Sequence, residues 1–346
     1  MKVLSAMSGG VDSSVATALL VAQGHDVVGV TMKLWGGDSD TGCCSVSDVD
    51  DARRAAQLLG VDHLVFNFGD DFARDVVGPY VLAHAGGLTP NPCIECNRHL
   101  KFDRLLARAD SLGFDAVATG HHARVVGAPP SLRIARGRDR AKDQSYVLYV
   151  LDSARLEKVL LPIGGLTKQE VRAHAAQLGL PTAAKPDSQD VCFITRRDGR
   201  RRFLGERIPL RPGRVIDRHG APVGAVDAVE LVTIGQRKGL GVAGSGQPRY
   251  AVDVDVAGAT VTVGTADELQ SGSVRVGDVV LAGELGTGDV LVQCSAHGAP
   301  KPGHLHRRPD GDVVVRWLTP QRRVAPGQSV VFYDGDLVVG GGVALS

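Results

Sequence analysis

The sequence predicts an α/β fold: a parallel sheet covered by helices on both faces, followed by two small mainly-β modules, the last a β-barrel. Three observations predict it. Over the first 190 residues short apolar runs alternate with amphipathic stretches of helical length, as βαβ units require. Near residue 196 the texture breaks, and nine arginines lie between Arg196 and Arg218 against Asp198, Glu206 and Asp217. Beyond them the chain is Gly-rich and alternates apolar with polar residues between turns, as in AVDVDVAGATVTVG (251–264) and DVVVRWLTP (312–320). The expected domains are residues 1–200, 201–270 and 271–346.

Lys2–Ala6 reads as the first strand, Ser13–Gln23 as the helix it feeds, and Asp26–Met32 as the next strand. Ser47–Leu59 reads as a helix capped by Ser47, and His63–Phe68 as a third strand. Pro90 and Pro92 read as a stiff loop, so the following helix is placed at Leu100–Leu112. Ala116–Thr119 is a strand, and Lys168–Leu178 is a helix opening after Thr167.

Composition narrows the function. The apolar share of 43% and charged share of 22% are those of an ordinary globular protein. A net charge of +1 advertises no polyanionic partner, so any basic surface must be local. Six cysteines (Cys43, Cys44, Cys93, Cys96, Cys192, Cys294) are too sparse for a secreted disulfide scaffold and suit a reducing compartment. No apolar run approaches the ~18 residues of a membrane span, and no secretory leader follows Met1-Lys2. The expectation is a cytoplasmic protein with no membrane partner.

The most informative stretch is MSGGVDSS, residues 7–14, between the first strand and the first helix. Gly9 and Gly10 let backbone N–H groups face inward, while Ser8, Ser13 and Ser14 add hydroxyl donors at the positive end of a helix. That is an anion cradle, and phosphate is the natural anion. The chain has no G-x-x-x-x-G-K-[ST], so the loop is not of the Walker type. Asp12 is odd in a bare anion site, and a Mg²⁺ bridging it to phosphate would account for it. A plain strand–turn–helix with a serine cap is the alternative. The ordered S-G-G-x-D-S-S resembles the signature of the PP-loop, or N-type ATP pyrophosphatase, enzymes. That resemblance implies a PP-loop domain that splits ATP between its α and β phosphates and attaches AMP to an acceptor oxygen.

The cysteines point to the acceptor. Cys96 stands just before an amphipathic run, near a helix N-terminus and beside Arg98, His99 and Lys101, where a thiol is activated. Cys192 follows the polar Asp187-Ser188-Gln189. Two thiols beside an ATP-splitting site suggest sulfur handling, one carrying a persulfide and the other resolving it. Three other fates stay open. Cys294 and the Cys43-Cys44 pair read as small buried hydrophobes. Cys93 and Cys96 form a C-x-x-C that could ligate zinc, although no second pair follows at close spacing. Cys93, Cys96 and Cys192 could instead hold a 4Fe–4S cluster with one iron open.

Eight stretches in order are similar to the tRNA-specific 2-thiouridylase family. They are SGGVDSS, VTMKLW (30–35), TPNPCIECNRHLKFD (89–103), ATGHHAR (118–124), KDQSYVLY (142–149), DSQDVCFI (187–194), TIGQRKGLG (233–241) and APGQSVVFYDGD (325–336). The resemblance implies thiolation of wobble uridine 34 in tRNA, those for Lys, Glu and Gln, with MgATP as substrate. A cysteine desulfurase or sulfur-relay protein would be the persulfide donor. It implies that Ala6, Met7, Ser8, Gly9, Gly10, Val11, Asp12 and Ser13 cradle ATP, with Met32 along the adenosine and Gly120 completing the pocket. Cys96 matches the nucleophile and Cys192 the persulfide carrier, the two joining in a transient disulfide. Asn91, Pro92, Cys93, His121, Lys142, Asp143, Gln144, Gln328 and, more weakly, His297 and Gly298 match tRNA contacts. The family often has Asp where this chain has Cys93, and its R-Y-R segment is replaced by SAHGAPKP (295–302).

Overall fold

The computed structural model describes residues 1–35, 46–187, 191–194, 199–242, 246–283 and 287–345. Cys43, Cys44, Ser188, Gln189, Arg196 and Arg197 lie outside them. The first region is built on β1 (Lys2–Ala6), β2 (Asp26–Lys33), β3 (His63–Asn67), β4 (Ala116–Ala118) and β7 (Val159–Leu160). These pair in parallel in the order β3-β2-β1-β4-β7. Val3, Leu4, Val30 and Val117 are wholly buried, as central strands covered on both faces demand.

Helix α1 (Val11–Ala22) is apolar almost all round because it lies between the sheet and α8 (Lys168–Gln177). With α2 (Val46–Leu58) these helices enclose one core of Val11, Val15, Ala52, Ala55, Ile163 and Val171. A larger core on the other face gathers Leu4, Met32, Phe72, Tyr80, Cys96, Phe102 and Phe193. Short helices α3 (Gly69–Phe72) and α4 (Gly78–Ala85) cover it, with α5 (Pro92–Glu95) running through a wider-turned stretch, Cys96–Arg104, into α6 (Leu105–Ser111). That helix therefore begins well before the expected Leu100. Asn91 caps it, its side chain accepting from Cys93 N at 3.1 Å, and Pro92 stands in the first turn, where its missing N–H costs nothing.

A hairpin of β5 (Ala123–Val126) and β6 (Arg133–Arg136) follows the first four strands but leaves their sheet. After it come the single-turn α7 (Ser153–Leu156) and, past α8, α9 (Gly199–Gly205). The middle region is a four-stranded sheet of β8 (Gly213–Ile216), β9 (Pro222–Val226), β10 (Tyr250–Asp255) and β11 (Thr260–Gly264), ordered β10-β11-β8-β9. The last region comprises β12 (Gln270–Leu281), β13 (Gly288–Gln293), β14 (Lys301–Arg307), β15 (Val313–Arg322), β16 (Ser329–Asp334) and β17 (Leu337–Ala344). They run β12-β15-β14-β13-β16-β17, and β17 pairs back onto β12, closing a six-stranded barrel around Val276, Val315, Val330 and Phe332. The β5–β6 hairpin docks on this barrel, Ala135 opposite Leu337 and Arg136 N donating to Asp336 O at 2.9 Å.

Candidate active site

Strand order turns at β1: β2 and β3 lie to one side, β4 and β7 to the other. Loops leaving neighbouring strands at such a point diverge and open a crevice at their carboxyl ends. Here those loops are residues 7–10 after β1 and 119–122 after β4. They approach so closely that a Cβ on Gly120 would lie 2.6 Å from Ser13 N. Gly9 has φ +69 and is pressed against the Asp48 carbonyl, so no larger residue fits. Ala6 ends β1, and buried Met7 anchors the loop through Met7 N to Val30 O at 2.8 Å. Val11 is buried beneath it, and Met32 is buried in β2.

No side chain among the described residues caps α1, whose N-cap is Gly10, so its first N–H groups remain available to an anion. The serines divide differently from expectation. Ser13 and Ser14 turn their hydroxyls back to Gly10 O at 3.1 and 3.0 Å, and Ser13 Oγ also accepts from Ser8 N. Ser8, at the exposed edge of the loop, keeps its hydroxyl nearer solvent.

Asp12 is held by side chains where a metal was expected. Lys168 Nζ lies 2.8 and 2.7 Å from its two carboxylate oxygens, and buried His122 donates Nε2–H at 3.2 Å. Burial alone would raise the Asp12 carboxyl, but the His122 and Lys168 hydrogen bonds outweigh it and hold it below its ordinary value. Lys168 also reaches Asp187 at 2.8 Å, and Asp187 is shared with Lys142 and Arg172, each at 2.8 Å. Burial works to raise the Asp187 carboxyl, and these cations bring it down to about 2. Lys168 and His122 were not singled out from the sequence, and Asp187 only as part of a polar stretch before Cys192, although a lysine in the first turn of a helix was a signal.

Cys93 is exposed in the first turn of α5, so the place at a helix N-terminus falls to it and not to Cys96. Cys96 follows one turn on and is buried. Cys192 is half-buried and packs against the same apolar cluster that contains Cys96 and Phe193. Both are thiols here. Among the described residues no group of three or more His, Cys, Asp or Glu side chains is placed to hold a metal ion. Cys294 behaves as the expected apolar filler, burial pushing its thiol up to about 12.

The remaining candidates fall into two groups. At one junction Thr89 N donates to Pro326 O at 2.8 Å and Gly327 packs against Thr89, which brings Asn91, Pro92 and Cys93 beside the turn holding Gln328. Gln328 Oε1 accepts from Ala325 N and shapes that turn. At the other, Asp143 binds Arg136 at 2.9 Å, and Arg136 reaches Gln293 Oε1 at 2.9 Å. Gln293 Nε2 in turn holds Ser295 O and Ala296 O, so Lys142, Asp143 and Gln144 are tied to the exposed turn of His297 and Gly298. Asp143 is thus an organiser inside the protein, and His121 is fully buried against Thr119, burial pushing its imidazole well below its usual range. Gln144 remains exposed and accepts from His122 N at 2.8 Å.

Family models match the chain in succession: a tRNA methyl transferase HUP domain over residues 1–196, a tRNA methyl transferase PRC-barrel domain over 201–265, and an aminomethyltransferase beta-barrel domain over 274–344. The U34-tRNA thiolase NcsA from Methanococcus maripaludis, solved with its 4Fe–4S cluster, is similar over 60% of this chain and 62% of that chain, at TM-score 0.37 and 18% identity. The tRNA-specific 2-thiouridylase MnmA of Herpetosiphon aurantiacus is 45% identical over 351 residues, 99% of this chain and 97% of the relative. That of Roseiflexus sp. (strain RS-1) is 46% identical over 367 residues, 99% of this chain and 98% of the relative. Each of these two relatives covers almost the whole of this chain, all three regions included: the chain belongs to the tRNA-specific 2-thiouridylase family.

Proposed function

We propose that this protein is an ATP-dependent tRNA-uridine 2-sulfurtransferase acting on the wobble uridine of the tRNAs for Lys, Glu and Gln. One observation carries the reading: a glycine loop and an uncapped helix N-terminus meet at the switch point of a parallel sheet, in a chain of this family. A uridine C2 carbonyl is a poor electrophile, and its oxygen is a poor leaving group. Attack of that oxygen on the α-phosphorus of ATP expels pyrophosphate and converts the oxygen into part of AMP. The N–H groups of residues 9–13, with the Mg²⁺ that accompanies the substrate, neutralise charge as it grows on the phosphates.

Sulfur then arrives on Cys192 as a persulfide from a cysteine desulfurase or a sulfur-relay protein. Its terminal sulfur attacks C2 and AMP leaves. The Cys96 thiolate attacks the Cys192 sulfur, the thiocarbonyl forms, and a Cys96–Cys192 disulfide remains for an external dithiol to reduce. Residues 1–200 supply this chemistry, while 201–270 and 271–346 seat the RNA; the spans matched by the family models support that division. Asn91, Pro92, Cys93, Lys142, Gln144, His297, Gly298 and Gln328 present the RNA-facing surface, with Asp143 and His121 supporting it from within.

Mass spectrometry of nucleosides from tRNA incubated with protein, ATP and a labelled sulfur donor tests the reading. Wild type should give labelled 2-thiouridine only with ATP. Cys192→Ser should carry no label, and Cys96→Ser should load label on Cys192 yet form no product. Label reaching RNA in Cys192→Ser would overturn the carrier assignment.

A further inference from the structure

The stretch TIGQRKGLG (233–241) has no role in the chemistry derived above. It forms a turn that leads to an open cavity of about 460 Å³ in the middle region, lined among others by Arg237, Gly239, Gly241 and Arg249. The turn is held from three sides. Gln236 closes it, Oε1 accepting from Thr233 N at 3.2 Å and Nε2 donating to Lys238 O at 2.9 Å. Gly235 N donates to Ala251 O at 2.8 Å and Ala251 N to Gln236 O at 2.9 Å, which fastens it to β10. From the barrel, Arg322 donates to Gly235 O at 3.0 Å. Two guanidinium groups thus stand on a fixed frame, Arg237 on the turn and Arg249 just ahead of β10. Arg211, Arg218 and Arg322 in this part of the molecule all have partners, whereas Arg237 and Arg249 make no ion pair among the described residues. Asp217 and Glu268, whose carboxylates feel the Arg249 charge, are engaged by other groups. Asp217 accepts from His219 N and Ala221 N at 2.8 and 3.0 Å, and Glu268 from Thr265 N at 2.7 Å and Arg218 at 3.3 Å. Glycine walls leave room, and two unpaired guanidiniums supply the charge and the forked donors that a phosphodiester takes.

We propose that this cavity is a binding site for backbone phosphates of the RNA, with Arg237 and Arg249 as its cations. Its place in the fold selects RNA. The Thr233 hydroxyl lies 3.5 Å from that of Thr89, and Thr89 N donates to Pro326 O at 2.8 Å. Thr89 leads to Asn91, Pro92 and Cys93, and Pro326 leads to Gln328. Arg237 follows Thr233 by four residues, a span of at most about 14 Å. A strand whose base meets Asn91–Cys93 therefore has neighbouring phosphates within reach of the cavity. The site rests on that surface being the one that faces RNA.

The full-length protein is titrated with unmodified substrate tRNA at several salt concentrations, without ATP. Arg237→Gln/Arg249→Gln should raise the Kd about tenfold or more and flatten the log–log salt slope by up to about 0.9 for each phosphate left without its cation. Arg237→Lys/Arg249→Lys keeps the charge; it should keep the slope while losing the forked contacts and part of the affinity. Calorimetry with α,β-methylene ATP should give one affinity for wild type and both variants. A wild-type Kd and slope in the glutamine variant overturn the site and leave the functional reading standing. A raised Kd with an unchanged slope overturns it too, since it marks a structural role for the two arginines. Weakened analogue binding with unaltered tRNA binding gives the cavity to a free nucleotide and overturns the RNA assignment. Absence of tRNA binding to wild type overturns the functional reading itself, and the site with it.

Discussion

At position 168 the chain does what helix physics disfavours, placing an ammonium in the first turn of α8 where a carboxylate would be stabilised. Local rules explain the rest of that terminus: Thr167 and Glu170 form a reciprocal capping box. The lysine is explained by Asp12, 156 residues away in sequence, and by Asp187. This marks the limit of what the residues alone reveal. The cradle was legible because Ser8 to Ser14 are contiguous and their roles follow from turn and helix-end chemistry. Asp12 reads as a metal ligand from sequence, and its protein partners Lys168 and His122 escape that reading because they come from distant elements. Gly120 gives the residue-scale prediction. A methyl group there would meet the backbone of Ser13 and Asp12 at 2.6 and 2.7 Å, and neither can swing aside. Gly120→Ala should cost about 1–3 kcal/mol of overpacking, spent in spreading the two loops. Its affinity for ATP, measured by calorimetry, should fall about tenfold while cysteine loading is unaffected.

Among the elements, strands β1 to β4 and helices α1 and α8 stand within a few residues of their expected bounds, because apolar periodicity and caps act locally. The helix from Pro92 departs from expectation for an instructive reason. Proline reads as a loop former, yet after an asparagine cap it is a helix starter. The shift matters chemically, since it puts Cys93 in the first turn and Cys96 one turn deeper. Asn91→Ala should therefore cost roughly 0.5–2 kcal/mol and be seen as faster amide exchange at Cys93, with Asn91→Asp restoring protection. Unchanged exchange in Asn91→Ala would remove the cap from the account. The β5–β6 hairpin has no signal of its own in the sequence. ARVV and RIAR are short and flanked by charge, and only the barrel edge they meet makes them strands.

For the whole molecule, the arginine run is where a sequence pattern overstates a surface. Arg211 is committed to buried Glu230 and to Val256 O, and Arg207 lies over the Phe203 ring at 4.0 Å. Arg211 thus works within the middle region, and Arg207 also lies over the Trp35 ring of the first region at 5.9 Å. Arg201 and Arg202 on α9 are exposed, and Asp227 and Glu206, which they meet among the described residues, face solvent too. Exposed pairs of this kind contribute little and yield readily to phosphate. Neutralising Arg200, Arg201 and Arg202 together should weaken tRNA binding and flatten its salt dependence, by up to about 0.9 in the log–log slope for each phosphate left without its cation. Titrations at several salt concentrations read this directly. A slope equal to that of wild type would return α9 to an ordinary solvated helix.

The docking of the β5–β6 hairpin on the barrel has a consequence for how the protein is made. Arg124 meets Asp336 across 212 residues, and the Tyr146 hydroxyl donates to Ser329 O across 183. A ribosome adding about 5–20 residues per second releases the first partner on the order of ten seconds or more before the second. The parallel sheet and its cradle have their main contacts within the early chain, so a nascent polypeptide can settle them at once. The stretch from Ala123 to Tyr149, with Lys142 and Gln144 on it, must wait for strands that have not yet been translated. The fold is therefore completed late and all together: an unfinished nascent chain already carries the glycine-loop cradle, and the stretch from Ala123 to Tyr149 takes its final place only when the barrel closes behind it.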